Sequence, residues 1–513
     1  MMKLQLIFEL RFFLVFLCVF APLREIKAQS LPKKTEKKIR AVLNSPSLKE
    51  AHVGLSILDL GTVENANSFP AKVPKEKPFR VVFESDAHKK FMSASNMKLF
   101  TAAIVLELLG KDKTFPTTVI QRSPSPPRRE ESFGLMGGGD PSLDDEGLGN
   151  LARQVKNAGI DEMKFLWGDG NAFGAETMAW NYPFGWTMDD ALWYYGPSIS
   201  SIAYNRNQMD VTVTGGEYVG APANIVCDPP YNVGNFVETT DGEQAKATDG
   251  DLLRVERSSG LYGQISLFGQ ISLKQEIKLG LAIPDPPSWA AVNFKRRLGE
   301  AGVSVNLIGN WNAVANYPPR RDAGDYSPNR VIAQHNSPPL KTLFQRLLKK
   351  SDNLYAEMLL RDAAYYHDGE KNGTAPRAHE LLKKWLAAQN IDASSLRFED
   401  GSGLSRYNLL TPRATAELLA AINRMKDGDV IWDALPIAGT DGTLKKRMTS
   451  TPSAGNVRAK SGTFSIASNL SGYVTTRDNR RLAVALFINF ARDTAAAQSA
   501  QDEIFTILAG ADL

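Results

Sequence analysis

The sequence predicts an α/β (α+β) protein in which one domain is built from both ends of the chain and interrupted by a large β-rich insertion. Near the N-terminus, Val53–Asp59 alternates as a strand, Phe79–Phe83 resembles a second strand, and the apolar segment Ala94–Leu109 follows as a buried helix. The C-terminal region ends in strand and helix patterns. The long middle region has short strands and Gly/Pro turns, with Leu148–Ala158 among its few helical segments.

These patterns divide the chain into three parts. At 513 residues it is too long for one ordinary domain. We expect residues 1–28 to be a leader, and residues 29–115 and 325–513 to form one discontinuous domain. Residues 116–324 would then be an inserted β-rich accessory region, which we expect to contain two subdomains.

The first residues have the pattern of a secretory signal peptide. Lys3 and Arg11 precede the apolar run Phe12–Ala21, and the small residue Ala28 follows. The apolar run is short for a membrane span, although an uncleaved anchor is the alternative interpretation. The sequence therefore predicts an exported protein that is soluble after cleavage.

Charge and cysteine content exclude several classes of partner and site. The formal net charge is +4, and losing the four basic and two acidic residues of the leader lowers it to +2. Without a long basic block, the sequence predicts no nucleic-acid partner. Removal of Cys18 leaves Cys227 alone, so no intrachain disulfide can form. The five histidines form no metal-binding motif, and we predict neither a metal site nor a cofactor.

Ser95 and Lys98 are the first candidates for chemistry. Residues three apart on a helix share a face, so the lysine can reach the serine hydroxyl. A serine needs a nearby base to become a nucleophile, and a lysine acts as a base when burial or a neighbouring positive charge lowers its pKa. Lys460 is the candidate for that charge. Because S-x-x-K also occurs by chance, this pair alone does not establish a site.

Ser351-Asp352-Asn353 is the second candidate string. Ser351 could pass a proton to a leaving amine, and the amide of Asn353 could both donate to and accept from a substrate or lysine. We expect Asp352 to point away and to cap or brace the loop. The alternative is that Ser351 or Asp352 is only the N-cap of the following helix.

Lys460-Ser461-Gly462-Thr463 is the third candidate string, near the start of a predicted strand. Gly462 allows close approach of another backbone segment, and Thr463 could offer its N–H to an oxyanion. Lys460 adds positive potential for an anionic substrate. A surface strand with a turn glycine is the alternative.

In this order, the three strings resemble the active-site set of penicillin-binding proteins and serine β-lactamases. Ser461 stands where that set most often has threonine. Further strings at residues 137–143, 185–190, 400–406 and 438–444 are similar to one subgroup, the D-alanyl-D-alanine carboxypeptidase/endopeptidase of the class C, penicillin-binding protein 4 type (peptidase family S13). The 253 positions from Lys98 to Ser351 also match this subgroup, and the resemblance spans residues 35 to 510.

The resemblance implies a DD-peptidase/β-lactamase-like transpeptidase fold and a periplasmic serine DD-peptidase that uses no cofactor. It implies cleavage of the terminal D-Ala–D-Ala bond of peptidoglycan stem peptides and of cross-links, with β-lactams as covalent inhibitors. The residues implied in catalysis are Ser95, Lys98 and Ser351, and those implied in substrate binding are Asn353, Lys460, Ser461, Gly462 and Thr463.

Two other functions remain open from the sequence. One is a catalytically weak penicillin binder that scaffolds other wall enzymes through its insert, and the other is a β-lactamase. The insert could also make peripheral contact with the cell wall.

Four minor features complete the sequence-based predictions. We expect Asp140 and Asp169 to brace loops, and the turn at Asp400–Gly403 to lie near the site and be held by Arg406. The aromatic residues between Trp180 and Tyr195 could stack sugars, but such residues more often pack a core.

Overall fold

The computed structural model describes residues 30–72, 79–122, 131–173, 182–242, 253–258, 263–309 and 330–513. The predicted leader, residues 1–28, and the predicted return from the insert near residue 325 both lie outside these ranges.

Helices occur near both chain ends, in the insert and in a dense group before the last three strands. Their bounds are α1 (Lys33–Leu43), α2 (Met97–Leu109), α3 (Asp145–Asn157), α4 (Pro286–Glu300), α5 (Leu340–Phe344), α6 (Asn353–His367), α7 (Ala375–Ala388), α8 (Pro412–Ile422), α9 (Asp429–Ala434) and α10 (Thr494–Ala509).

The strands fall into two groups, those of the terminal segments and those of the insert. The first group is β1 (His52–Thr62), β2 (Arg80–Ser85), β3 (Phe91–Met92), β15 (Leu409–Leu410), β16 (Val457–Phe464), β17 (Ala467–Thr475) and β18 (Arg480–Asn489). The second group is β4 (Pro116–Arg122), β5 (Ser132–Gly137), β6 (Glu162–Asp169), β7 (Gln208–Thr214), β8 (Asn224–Asp228), β9 (Gly234–Thr240), β10 (Leu253–Arg257), β11 (Ile265–Ser272), β12 (Glu276–Ala282), β13 (Ser304–Gly309) and β14 (Arg330–Asn336).

A five-stranded sheet joins the two ends of the chain in the order β16-β17-β18-β1-β2. The central pair, β1 and β18, is antiparallel, with Leu55 opposite Leu486. Helices cover both faces, so its central strands are buried on both sides. In β18, Leu486 belongs to the core with α1 and α10, while the next residue, Phe487, belongs to the core with α2, α6 and α8. Burial on both faces explains why β18 is an apolar run without polar alternation.

The insert contains three sheets over a core of its own. Their orders are β13-β6-β5-β4-β14, β12-β7-β8 and β10-β11-β9. Helices α3 and α4 pack on the first of these sheets and contribute Leu148, Leu151 and Phe294 to the core. The mixed α/β architecture agrees with the predicted fold class.

Two features of the insert differ from the sequence-based expectation. The 15-residue helix α4 was not anticipated, because Pro286 and Pro287 suggest a loop; instead they occupy the first helical turn, after the N-cap Asp285. In addition, β14 pairs with β4, with Ala333 opposite Val119. Residues 330–336 therefore belong to the insert sheet, although the predicted boundary assigned them to the domain of both chain ends. The remaining boundaries stay predictions.

The start of α2 is fixed by neighbouring backbone. The short strand β3 pairs with β15, and a 3₁₀ turn at Ala94–Asn96 then leads into α2. Ala94 has a φ of 42°, an unusual value for a residue with a side chain. Gly403 packs against this turn, where a Cβ would lie 1.9 Å from the Ala94 carbonyl oxygen. The fold thus holds Ser95 on a tightly packed turn at the N-terminal end of α2.

Candidate active site

Ser95 and Lys98 meet at the start of α2, as their spacing predicts. Lys98 Nζ lies 3.0 Å from Ser95 Oγ. It also donates to Asn353 Oδ1 at 2.6 Å and to the Ser402 carbonyl oxygen at 2.7 Å. The orientation of the Asn353 amide follows from its other contact, because its Nδ2 donates to the carbonyl of Tyr195 at 2.7 Å.

The contacts of Lys98 have the geometry that a neutral amine would need to accept a proton from Ser95. The two carbonyl oxygens, from Asn353 and Ser402, can only accept hydrogen bonds, so they take both N–H groups of a neutral amine. The remaining direction faces Ser95 Oγ, and in a neutral amine it would carry the nitrogen lone pair instead of a third N–H. This geometry allows the lysine to receive the serine proton.

Burial lowers the pKa of Lys98 to about 8, while the negative charges of Asp400, Glu357 and Asp352 oppose that shift. Of the two causes that the sequence left open, burial or the positive charge of Lys460, desolvation by burial is the principal one for the pKa of Lys98. Lys460 is also fully buried, and its own pKa is well below the usual value, first through burial and then through the charge of Lys98.

Ser351 and Lys460 form a second hydrogen-bonded pair beside the first. Lys460 Nζ donates to Ser351 Oγ at 2.8 Å and to the carbonyl of Ser461 at 2.6 Å. Ser351 has a φ of 58°, and it directly precedes Asp352, the N-cap of α6. Asp352 also accepts from Arg346 Nε at 2.7 Å. Asp352 therefore caps and braces, as expected, and leaves the two flanking residues to face the site.

Gly462 brings strand β16 against the Ser95 turn. A Cβ at this position would lie 2.8 Å from Ser95 N and 2.9 Å from Asn96 Nδ2, so only glycine fits without movement. Thr463 follows, exposed at the edge of the cavity. The hydroxyl of Ser461 hydrogen-bonds Thr443 Oγ1 at 2.8 Å. Unlike Thr463, Ser461 does not line the cavity over Ser95.

A cavity of about 320 Å³ opens over Ser95. Of the predicted site residues, Ser95, Ser351, Asn353 and Thr463 line it, while Lys98 and Lys460 are buried behind this wall. The rest of the lining is Asp190, Tyr194, Tyr195, Gly403, Leu404, Arg406 and Phe464. Of these, the sequence placed only Gly403 and Arg406 near the site, through the turn at Asp400–Gly403.

The turn at Asp400–Gly403 lies beside Lys98, as expected, but Arg406 does not hold it. The buried carboxylate of Asp400 accepts from the backbone N–H groups of Gly403 and Ser405, each at 2.7 Å. Arg406 instead approaches Asp190 at 3.5 Å and lines the cavity. The expectation was wrong because an aspartate that accepts backbone N–H groups can order a turn internally.

The other minor predictions concern loops and aromatic residues. Asp140 accepts from the N–H and hydroxyl of Ser142, and Asp169 accepts from the N–H of Asn171, so both brace loops. Trp186 donates its indole N–H to Asp400 at 2.9 Å. Of the aromatic segment, residues 180 and 181 lie outside the described ranges.

Residues 35–510 match the model of the D-Ala-D-Ala carboxypeptidase 3 (S13) family. The chain belongs to this family. It is therefore a serine-type D-Ala-D-Ala carboxypeptidase, as the resemblance implied.

Two relatives align with this chain over most of their own length. The D-alanyl-D-alanine carboxypeptidase of Actinomadura sp. (strain R39) is 29% identical over 447 residues, which cover 85% of this chain and 77% of the relative. The carboxypeptidase DacB of Haemophilus influenzae is 26% identical over 462 residues, covering 86% and 88% of the two chains. The crystal structure of penicillin-binding protein 4 from H. influenzae is similar in fold, with a TM-score of 0.74, 22% identity and coverage of 91% of this chain and 97% of that one.

Within the described ranges, no helix combines the length and the apolar character needed to cross a bilayer.

Proposed function

We propose that this carboxypeptidase acts on peptidoglycan stem peptides through an acyl-enzyme on Ser95, with Lys98 as the base. The observation that carries this proposal is the arrangement of Lys98, which lies 3.0 Å from Ser95 Oγ while two carbonyl oxygens occupy its N–H groups. Ser95 Oγ attacks the carbonyl of the penultimate D-alanine as its proton moves to Lys98. The backbone N–H groups of Ser95 and Thr463 stabilise the oxyanion.

The second serine–lysine pair serves the departing amine. As the C–N bond breaks, Ser351 donates its hydroxyl proton to the leaving nitrogen and is reprotonated from the lysines, one of which, Lys460, lies 2.8 Å away. Lys460 and Thr463 on β16 attract the free carboxylate of the substrate, and Ser461, whose hydroxyl bonds Thr443, would have to turn toward the cavity to join them. That carboxylate favours the charged form of Lys460 and so offsets the effect of burial. Water then releases the peptide from Ser95.

The same site is proposed to cleave cross-links and to react with β-lactams. A cross-link carries a longer leaving group than D-alanine, and the exposed side chains of Thr463 and Tyr194 mark an open edge of the cavity. A β-lactam presents a cyclic amide beside a carboxylate, so its opening by Ser95 leaves an acyl-enzyme with the leaving group still attached. Penicillin-binding protein 4 of H. influenzae, which is similar in fold, has also been solved in complex with a β-lactam.

The proposal is tested by labelling wild type and Ser95→Ala with fluorescent penicillin and by mass spectrometry of digests. We expect covalent labelling of wild type only, loss of D-alanine from a pentapeptide stem, and cleavage of a cross-linked muropeptide. Labelling that survives the substitution would overturn the assignment of Ser95. Labelling without release of D-alanine would favour the scaffold hypothesis, and rapid turnover of penicillin would favour a β-lactamase.

We also propose that the protein is exported to the periplasm through residues 1–28. The basic residues, apolar run and Ala28 of that segment support the proposal. Cell fractionation followed by N-terminal sequencing should find the protein in the periplasmic fraction beginning at Gln29. A cytoplasmic protein beginning at Met1 would contradict this expectation.

A peripheral cell-wall contact is proposed for one face of the insert, with glycan strands as the bound partner. On sheet β10-β11-β9, Phe236 and Phe268 stack with centroids 4.8 Å apart, and Phe236 is 62% exposed. Arg254 lies over Phe268 in the same row and is ion-paired through its Nε with Glu256 at 3.0 Å, so its terminal nitrogens are the groups proposed to attract the carboxylates of the wall. A flat aromatic surface with a neighbouring charge suits sugar rings and an acidic polymer.

Sedimentation with purified, insoluble peptidoglycan tests this surface. Changing both Phe236 and Phe268 to serine should reduce binding several-fold and leave hydrolysis of soluble muropeptides unchanged. Leu307→Ser, at an apolar position on another insert sheet that is 64% exposed, is the matched control. Equal binding by wild type and the double variant would contradict the proposal.

A further inference from the structure

The peptide between Gly401 and Ser402 is held from two sides by buried side chains. Thr101 Oγ1 donates to the Gly401 carbonyl at 2.6 Å. Glu357 Oε1 accepts from the N–H of Gly401 at 2.9 Å and from the N–H of Ser402 at 2.7 Å. The Ser402 carbonyl that follows is the group that accepts from Lys98 at 2.7 Å. The position of that carbonyl is therefore fixed by both side chains.

Each of these side chains shares a helix face with a residue of the site. Thr101 follows Lys98 by three residues on α2, and Glu357 follows Asn353 by four residues on α6. Helix α2 carries Lys98 and Thr101, and helix α6 carries Asn353 and Glu357. A shift of either helix would therefore disturb the Lys98–Asn353 contact and, at the same time, the support of the Ser402 carbonyl. The arrangement couples the two helices through one loop.

We propose that Glu357 is a positioning residue for acylation: with Thr101 it fixes the Ser402 carbonyl, which together with Asn353 directs Lys98 toward Ser95. This inference rests on the proposed role of Lys98 as the base. Glu357 is fully buried, and its second oxygen accepts from Arg361 at 2.8 Å. Burying a carboxylate is costly unless its oxygens are hydrogen-bonded. The two bonds from the loop therefore offset part of the cost of desolvating Glu357.

Glu357 also acts on Lys98 through its charge. The charged groups around Lys98 are Asp352 and Glu357 from α6, Asp400 from the loop, and Lys460 from β16. Burial and the charge of Asp400 raise the pKa of Glu357 itself, but its carboxylate accepts only from N–H donors, including Arg361, which favours the ionised form. In that form its negative charge raises the pKa of Lys98 and so opposes desolvation. Neutralising Glu357 should therefore lower that pKa, whereas removing its oxygen atoms should release the loop.

Two substitutions separate the two effects. Glu357→Gln keeps an acceptor oxygen for the loop and removes the charge, while Glu357→Leu removes both. The measurement is the second-order rate of acylation by fluorescent penicillin between about pH 6 and pH 10, with the melting temperature of each variant. For Glu357→Gln we expect the rise in rate to move to lower pH with little loss of the high-pH plateau. For Glu357→Leu we expect a plateau about 10- to 100-fold lower.

Two further variants complete the experiment. Thr101→Val removes the hydroxyl that donates to Gly401 without changing charge, so the plateau should fall several-fold at an unchanged pH midpoint. The Thr101→Val variant still tests the support of the loop if Glu357→Leu does not fold. Glu417→Gln is the matched control, because Glu417 is a largely buried, ion-paired glutamate on α8 that does not contact the loop. It should acylate at the wild-type rate across the pH range.

An unchanged pH midpoint in Glu357→Gln, or a wild-type plateau in Thr101→Val, would overturn the inference. Both outcomes require a wild type that is labelled on Ser95. A wild type that is not labelled, or whose label remains in Ser95→Ala, would instead defeat the proposed function.

Discussion

The difference between Lys98 and the structural lysines of this protein lies in their partners. Lys349 binds the carboxylate of Asp441 directly, at 2.6 Å. Lys98 is buried among a hydroxyl and two carbonyl oxygens, and the nearby carboxylates act on it without a direct bond. Its neutral form is therefore accessible near physiological pH.

The first prediction concerns the pH dependence of acylation. Because the pKa of Lys98 is lowered to about 8 and only the neutral amine can accept a proton, the rate should rise as the pH increases through about 8. Below that value, the second-order rate with fluorescent penicillin should fall about tenfold per pH unit, and above it the rate should level off. A rate that is flat between pH 6 and pH 9 would contradict the assignment of Lys98 as the base.

The second prediction concerns the close approach at Gly462. A methyl group there would lie 2.8 Å from Ser95 N, so Gly462→Ala must move β16 away from the turn. The N–H groups proposed to bind the oxyanion would no longer converge, and acylation should fall about 100-fold in stopped-flow measurements. Acylation of Gly462→Ala at the wild-type rate would show that the close approach of β16 to the Ser95 turn is not critical.

Helix α6 shows how one element organises several parts of the site. Asp352 caps its first turn, Asn353 contacts Lys98, and Glu357 and Arg361 follow on the same face at intervals of four residues. This regular spacing places a direct lysine contact and a loop support in a single rigid segment. The sequence indicated Asn353 through a motif, whereas Glu357 became visible only through its contacts.

The third prediction concerns a helix remote from the site. Gly299 lies in α4, and a Cβ there would meet no atom within 4 Å, so Gly299→Ala should stabilise the protein by about 0.5–1 kcal/mol through reduced freedom of the unfolded chain. At Gly472 the same change would place a methyl group 2.2 Å from the Arg458 carbonyl and should destabilise. Thermal melting compares the two, and Gly299→Ala should acylate normally, which makes it the control for Gly462→Ala. A lower melting temperature for Gly299→Ala would refute the prediction.

At the scale of the whole molecule, an ion-pair cluster ties the two chain ends together. The carboxylate of Asp59 on β1 is 1% exposed and binds Arg80 on β2 and Arg480 at the start of β18. Both arginines keep part of their side chains in solvent, so they can be hydrated if the carboxylate is lost. This cluster supports the sheet on which β16 and the third motif depend.

The fourth prediction follows from this cluster. Asp59→Asn removes the buried charge and leaves two arginines without their shared partner, so it should destabilise the protein by about 1–3 kcal/mol, less than for a fully buried pair. Asp86→Asn, in an exposed pair with Lys89, is the control and should leave the urea midpoint unchanged. Equal midpoints for Asp59→Asn and wild type would rule out a stabilising role for the cluster.

Much of the architecture follows from local patterns. Strand β1 extends the predicted Val53–Asp59 by only a few residues, and the 3₁₀ turn with α2 covers the predicted apolar helix Ala94–Leu109, because alternation and apolar runs are strong local signals. Helix α4 was missed because Pro286 and Pro287 suggest a loop unless Asp285 before them is recognised as a helix N-cap. The pairing of β14 with β4 was missed because a strand can pair with a partner that is distant along the chain, and a local pattern does not identify that partner.

The candidate site residues could be proposed without a structure, because short strings with a characteristic spacing contain Ser95, Lys98, Ser351, Asn353, Lys460 and Thr463. The groups that surround Lys98 could not be predicted in this way. The Ser402 carbonyl is 304 positions away along the chain, and a backbone oxygen has no side-chain signature. Its position depends on packing between Thr101, Glu357 and a turn from distant parts of the chain, so it emerges only when the helices and the loop come together.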